Sequence, residues 1–433
     1  MIDPMAHTGP TAAAGSTGPP PSAAASPPRH GLLEALRYLG PGFFVTVGFI
    51  DPGNWAANMA AGSRFGYALL WVVTLSTVLL VVVQHNAAHL GIATGLCLAE
   101  AARAHLRPAA ARLLLGSAVL AVIATALAEI LGAAVGLEML TGLPHAAGAL
   151  LTAAVVAALL LGNGYARLER WIIGFVSLVG LAFLFELAIS AVGWRGALRG
   201  LAVPAIPAGA TALVASILGA VVMPHGIFLH SEIIQSRAWR EAGDAVVQRR
   251  LRYEFLDTAA AMGVGWAING AMIAVAAAVF FARGVAVTEL SQAGEALAPL
   301  LGRAASVVFA LALVLAGVAS SITAAMAGGS IVAGWAGKPY DAGDRHARLG
   351  IWLTLAGAVA AALVVRDPFA ALLWSQVALS VQLPWTILAL GVLISSPGVM
   401  GPLLAPRSHR LLLWLSAVVV TALNLLLLRD LLG

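Results

Sequence analysis

The sequence predicts an all-α integral membrane protein of about eleven transmembrane helices, arranged as two inverted five-helix repeats with broken helices 1 and 6. Three observations carry that prediction. The 433 residues are 61% hydrophobic and only 10% charged, and many apolar runs reach the roughly 20 residues that cross a bilayer. Two of those runs are interrupted in the same style, at Asp51-Pro52-Gly53-Asn54 and at Met223-Pro224-His225-Gly226. The basic residues divide unevenly between the two sides that alternating spans define.

The chain begins with a stretch rich in Pro, Ala, Ser and Gly. It has no charged start followed by an apolar core, so residues 1–35 read as a disordered cytoplasmic tail and not as a signal peptide. The membrane domain follows over 36–433, with repeat one at about 36–195, repeat two at about 205–396 and an extra helix at about 410–431. The spans fall at roughly 39–62, 67–93, 113–138, 145–162, 170–193, 210–236, 254–282, 303–335, 349–366, 369–396 and 410–431. With the N-terminus in the cytoplasm, seventeen of the 24 Lys and Arg lie inside and seven outside, the bias the positive-inside rule expects. That places the C-terminus outside. Five spans per repeat is an odd number, so the second repeat inserts upside down.

The net charge of +5 belongs to loop arginines and does not point to nucleic acid. Cys97 is the only cysteine, so an intrachain disulfide, a thiolate cluster and a zinc-cysteine site are excluded. No Gly-x-x-x-x-Gly-Lys-Ser/Thr, His-Glu-x-x-His or Gly-x-Ser-x-Gly sequence is present, which speaks against an ATP-driven machine and an intramembrane enzyme.

The two breaks hold the chemistry. Pro52 lacks an N–H and disfavours helix at Asp51, and Gly53 lets the chain turn. Broken helices at membrane depth line cavities or lie buried in protein, and a carboxylate there marks an ion or substrate path. Paired breaks in the two halves of a membrane protein point to a transport site. Asp51 offers a carboxylate, Asn54 an amide oxygen, unwound backbone near Ala220 a carbonyl and Met223 a thioether. One soft ligand among oxygens suits Mn²⁺ or Fe²⁺ better than Mg²⁺ or Ca²⁺, although core packing is the usual job of Met. Gln376 and Gln382 lie in span 10, and Gln376 either adds an oxygen when the site closes or joins helices.

Four ionisable residues form a candidate proton path: Asp51, Glu129 deep in span 3, His225 beside the second break and Arg237 at the end of span 6. A structural Glu129–Arg237 pair is the competing reading. His225 and His230 point about 140° apart on a helix and cannot chelate one ion; His230 reads as polar packing. Glu186, Glu232, Glu254 and Asp257 lie in or near spans without an assigned role.

Taken together, these residues resemble the Nramp family of proton-coupled divalent metal transporters, over nearly the whole chain after about residue 36. The carrying segments are Asp51-Pro52-Gly53-Asn54, Met223-Pro224-His225, Leu229-His230-Ser231, Gly91-Ile92-Ala93-Thr94-Gly95, and Ser375-Gln376 with Gln382-Leu383-Pro384. The resemblance implies the fold of sodium-coupled amino-acid symporters. It implies that Asp51, Asn54, Met223 and the Ala220 carbonyl bind the metal, that Gln376 approaches on occlusion, and that Glu129, His225 and Arg237 serve proton movement. Three positions depart from the family pattern. Gly226 replaces an Asn, Gly329 replaces a Gln in span 8, and Ala126 stands where span 3 usually carries a second carboxylate.

The expected function is import of Mn²⁺ or Fe²⁺ by alternating access across the inner (plasma) membrane. The expected partners are the metal as substrate, protons and the lipid bilayer, with no nucleic acid and no resident cofactor. The alternative is a Mg²⁺ or broad divalent cation carrier of the same fold with weak or no proton coupling. A metal sensor would bind the ion without moving it.

Overall fold

The computed structural model describes residues 51–161, 180–237, 244–296 and 305–432. The predicted N-terminal tail, the first half of span 1 and the start of span 5 lie outside the described residues. Each of the eleven predicted spans contains helix among the described residues, and no strand occurs there. Eight helical segments there are long and apolar enough to cross a bilayer.

The described part of span 1 is the helix Pro52–Phe65. Asp51 is extended, with φ −97° and ψ 161°, and Pro52 occupies the first helical position, where a missing N–H costs nothing. Span 2 is Leu70–Thr94 and ends on Gly95 in the left-handed region (φ 70°). Span 3 is Pro108–Thr141, starting five residues before the predicted 113 because Pro108 begins the helix in the preceding loop. Span 4 is His145–Leu161 and span 5 is described over Gly180–Ile189.

Span 6 is two helices, Thr211–Val221 and Pro224–Ile233, with Val222 and Met223 outside both. Span 7, Asp244–Val279, begins ten residues before the predicted 254; its polar first turns give no hydropathy signal but continue the helix. Spans 8 to 11 are Ala305–Ala336, Arg345–Val364, Pro368–Ile394 and Arg407–Leu432. Pro384 sits inside span 10 without ending it. Two short helices, Leu98–His105 and Trp194–Ala202, were not legible as spans. They are too short to cross a membrane.

The two broken spans sit at the centre of the packing. Span 1 packs on span 7, the first half of span 6 packs on span 10, and spans 3 and 8 share the most extensive contact. Gly219 makes the approach of span 6 to span 10 possible: a Cβ there would collide with the Gln376 carbonyl oxygen and lie 2.8 Å from the Ser380 nitrogen. Large apolar side chains on the outside of the bundle, such as Leu113, Leu120, Val418 and Leu425, are exposed, as a lipid-facing surface requires.

Candidate functional site

Asp51 is almost fully buried and caps its own helix. Its Oδ1 accepts the Asn54 backbone N–H at 2.6 Å and its Oδ2 accepts the Asn54 side-chain amide at 3.3 Å. The same Asn54 amide nitrogen donates across to the Ala220 carbonyl at 2.9 Å. That carbonyl is near the end of the first half of span 6, where the break at Val222 and Met223 leaves helix carbonyls without partners along the chain. One side chain therefore ties the two breaks together. The Asn54 carbonyl oxygen, Oδ1, is left buried without a partner.

Met223 stands at the second break, as the N-cap residue of Pro224–Ile233, and is buried. Span 10 closes the site from another side. The Gln376 amide lies against Gly53 so closely that a Cβ at 53 would collide with its nitrogen, and that Cβ would be 3.2 Å from Asp51 Oδ1. Gln376 Oε1 is also buried without a partner. Asp51, Asn54, Ala220 and Gln376 are thus brought together around the first break, with Met223 three residues beyond Ala220.

Span 3 supplies the next layer. Gly132 receives the Pro52 ring, and a Cβ there would overlap it. One turn earlier, Glu129 is buried, lies within range of the Asp51 charge and has an unpartnered Oε2. Another turn earlier, Thr125 Oγ1 is 3.2 Å from His225 Nδ1. Thr125, Glu129 and Gly132 share one helix face, so span 3 lays a polar line from the first break to the residue after the second. Ala126 is buried and adds nothing polar to that line. Arg237 ends the turn Ile234–Arg237; its side chain lies outside the described residues.

Other sequence candidates are placed elsewhere. His230 Nδ1 donates to Gln84 Oε1 at 2.7 Å, facing away from His225. Gln382 joins span 10 to Ser117 of span 3 at 3.3 Å and accepts from Thr386 at 2.9 Å. Glu232 accepts from Ser330 at 2.9 Å. Glu186 accepts from Ser190 at 3.3 Å. Glu254 pairs with His85, a contact that sequence reading missed although His85 and His89 show helical spacing. Trp55, next to Asn54 in the chain, meets Phe183 edge-on and Phe309 at a tilt, with ring centroids at 6.4 and 5.1 Å.

The sequence profile of the Nramp family, described as natural resistance-associated macrophage protein-like, matches residues 42–430. The chain belongs to the Nramp family. It is 38% identical over 422 residues to a protein of Xanthomonas campestris named divalent metal cation transporter MntH, covering 93% of this chain and 92% of that one. It is 36% identical to the MntH of Deinococcus radiodurans, covering 93% and 92%. Among solved structures, an Eremococcus coleocola manganese transporter in complex with an aromatic bis-isothiourea compound superposes with a TM-score of 0.75 at 27% identity, covering 93% of this chain and 88% of that one. Mhp1, a nucleobase-cation-symport-1 family transporter, superposes with a TM-score of 0.55 at 14% identity. That likeness shows a shared fold.

Proposed function

We propose that this chain is a secondary transporter that imports divalent transition metal ions, Mn²⁺ first and Fe²⁺ with it, by alternating access. One observation carries the reading: the buried Asp51 carboxylate lies at a helix break beside the Asn54 and Gln376 amides, each of which keeps a buried oxygen without a partner. Buried oxygens without donors cost free energy, and a dehydrated divalent cation is the partner that satisfies several at once. Asp51 supplies the charge. Asn54, Gln376 and the Ala220 carbonyl supply neutral oxygens, and the Met223 thioether tilts the set from Mg²⁺ and Ca²⁺ towards softer ions. The Asn54 amide nitrogen leaves the Ala220 carbonyl when the ion takes it. The names of the MntH relatives and of the manganese transporter structure agree with this cargo.

Protons enter the proposal through the polar line on span 3. Asp51 and Glu129 are carboxylates close enough to interact, and His225 follows by way of Thr125. Arg237 then opens the line to the cytoplasm. The protein sits in the plasma membrane with its N-terminus inside and C-terminus outside, and it is a carrier and not an enzyme. The absence of a second carboxylate at Ala126 favours a second reading, in which divalent cations move with weak or no proton coupling.

Uptake into proteoliposomes with a pH dye inside tests both. Mn²⁺ entry with internal acidification is expected. Mn²⁺ entry without acidification removes the proton part and leaves the metal site. Mg²⁺ entry equal to Mn²⁺ overturns the role given to Met223.

A further inference from the structure

Span 2, the start of span 7 and the start of span 11 enclose a cavity of about 590 Å³ at the end of the bundle that the arginine count assigns to the cytoplasm. Three histidines line it: His85 and His89 of span 2 and His409 of span 11. None belongs to the site at the helix breaks. His85 and His89 are four residues apart and share a helix face, the spacing by which paired histidines on a helix grip one metal. His409 comes from across the cavity. Its ring centroid is 5.1 Å from that of His85, and His85 and His89 are 6.3 Å apart. An imidazole nitrogen sits about 2.0–2.1 Å from a bound ion, which puts the ring centre roughly 3.2 Å away and two rings on one ion about 5 to 6.5 Å apart. Both separations fall in that range, but the nitrogens of the three rings do not all lie within 4.8 Å of one another, so the rings must turn to share an ion.

The protonation pattern also fits. Glu254 Oε2 is 2.5 Å from His85 Nδ1; an ionised carboxylate only accepts, so in the neutral ring Nδ1 is the donor and Nε2 is the nitrogen left for a metal. Thr258 holds the other Glu254 oxygen at 2.8 Å. Such carboxylate–histidine pairs orient metal-binding imidazoles. His89 is 4% exposed, and its Nδ1 and that of His409 are buried without partners. A second cluster, Cys97, Glu100 and Glu232, already has its ligating atoms within 4.8 Å of one another. Its groups are occupied, though: Glu100 caps the Cys97 N–H at 2.8 Å, and Ser330 contacts both Cys97 and Glu232. The histidines differ in keeping two buried ring nitrogens, His89 Nδ1 and His409 Nδ1, without any partner.

We propose that His85, His89 and His409 form a second metal site, distinct from the transport site, that closes by side-chain rotation around a Co²⁺, Ni²⁺ or Zn²⁺ ion. Three neutral imidazoles favour these ions over Mn²⁺ and Mg²⁺. The test uses the full chain, purified in detergent, stripped of metal and titrated with Co²⁺. Equilibrium dialysis gives the stoichiometry and visible absorption gives the ligand field. An Asp51→Ala background removes the transport site, so the result does not depend on the proposed transport function. That variant is expected to bind one Co²⁺ with nitrogen-type bands. Adding His89→Gln and His409→Gln weakens it at least tenfold, and Glu254→Gln weakens it about tenfold. No Co²⁺ binding by Asp51→Ala, or unchanged affinity after the two histidine changes, overturns the proposal. Should the combined variant fail to elute as a single species, His409→Gln alone decides, because His409 lies at the accessible start of span 11 and its loss must still lower the affinity.

Discussion

Asp51 does two things with one carboxylate, and substitution can separate them. Oδ1 caps the helix, and Oδ2 accepts the Asn54 side-chain amide beside the Gln376 side chain. Asn is as good a cap as Asp, so Asp51→Asn should leave thermal stability within about 0.5 kcal/mol while lowering Mn²⁺ uptake roughly 100-fold, about 2.7 kcal/mol. Asp51→Ala loses the cap as well and should unfold more easily by about 1 kcal/mol. Uptake and melting curves on both variants check this, and equal melting of the two would mean that the cap is idle. Met223→Ala should cost little uptake but bring Mg²⁺ and Ca²⁺ competition up about tenfold, or 1.4 kcal/mol, measured by Mn²⁺ uptake against excess competitor. Gly53→Ala should block Gln376 from its place and stop transport in a folded protein.

At the scale of elements, the breaks govern what moves and what stays. Gly219 lets the first half of span 6 lie directly on the span 10 backbone. Gly219→Ala should therefore destabilise the protein by about 1–3 kcal/mol through overpacking, seen as a lower midpoint in thermal unfolding. At the other end, Asp344 caps span 9, and the His346 backbone N–H holds its carboxyl below the usual carboxylate range. A lowered carboxylate stabilises above its ordinary pKa and ceases to do so as pH falls through the lowered value. The protection of amides in the first turn of span 9, relative to their intrinsic exchange, should accordingly fall only in acid. Much of this was legible in the sequence. Pro52 and Pro224 announced both breaks because a missing N–H is a local fact, and the eleven spans were legible because hydropathy is additive. The His85–Glu254 pair was not, since the two residues are 169 positions apart and meet only when span 7 crosses span 2. The polar start of span 7 was missed for a different reason. Hydropathy finds the membrane-embedded part of a helix, not its end.

For the whole molecule, the decisive expectation is sidedness. Cys97 is the one native cysteine and is buried, so a Cys97→Ser background can carry single reporters. Thr288→Cys, in the exposed loop after span 7, should react with a membrane-impermeant thiol reagent in intact cells. Asp341→Cys, in the exposed loop before span 9, should react only after permeabilisation. The reverse pattern would invert the molecule and turn the proposed importer round. Gly53, Gly132 and Gly219 carry a different consequence. A saturation screen for growth on scarce manganese would mark these three positions as intolerant as Asp51 itself, although none offers an atom to the ion. A map of essential residues would then draw the binding site too large, enclosing the bearings on which it turns along with the ligands. Repeating the screen at lower temperature would separate Gly132 and Gly219 from Asp51, because crowding between helices is relieved by added stability and a missing carboxylate is not.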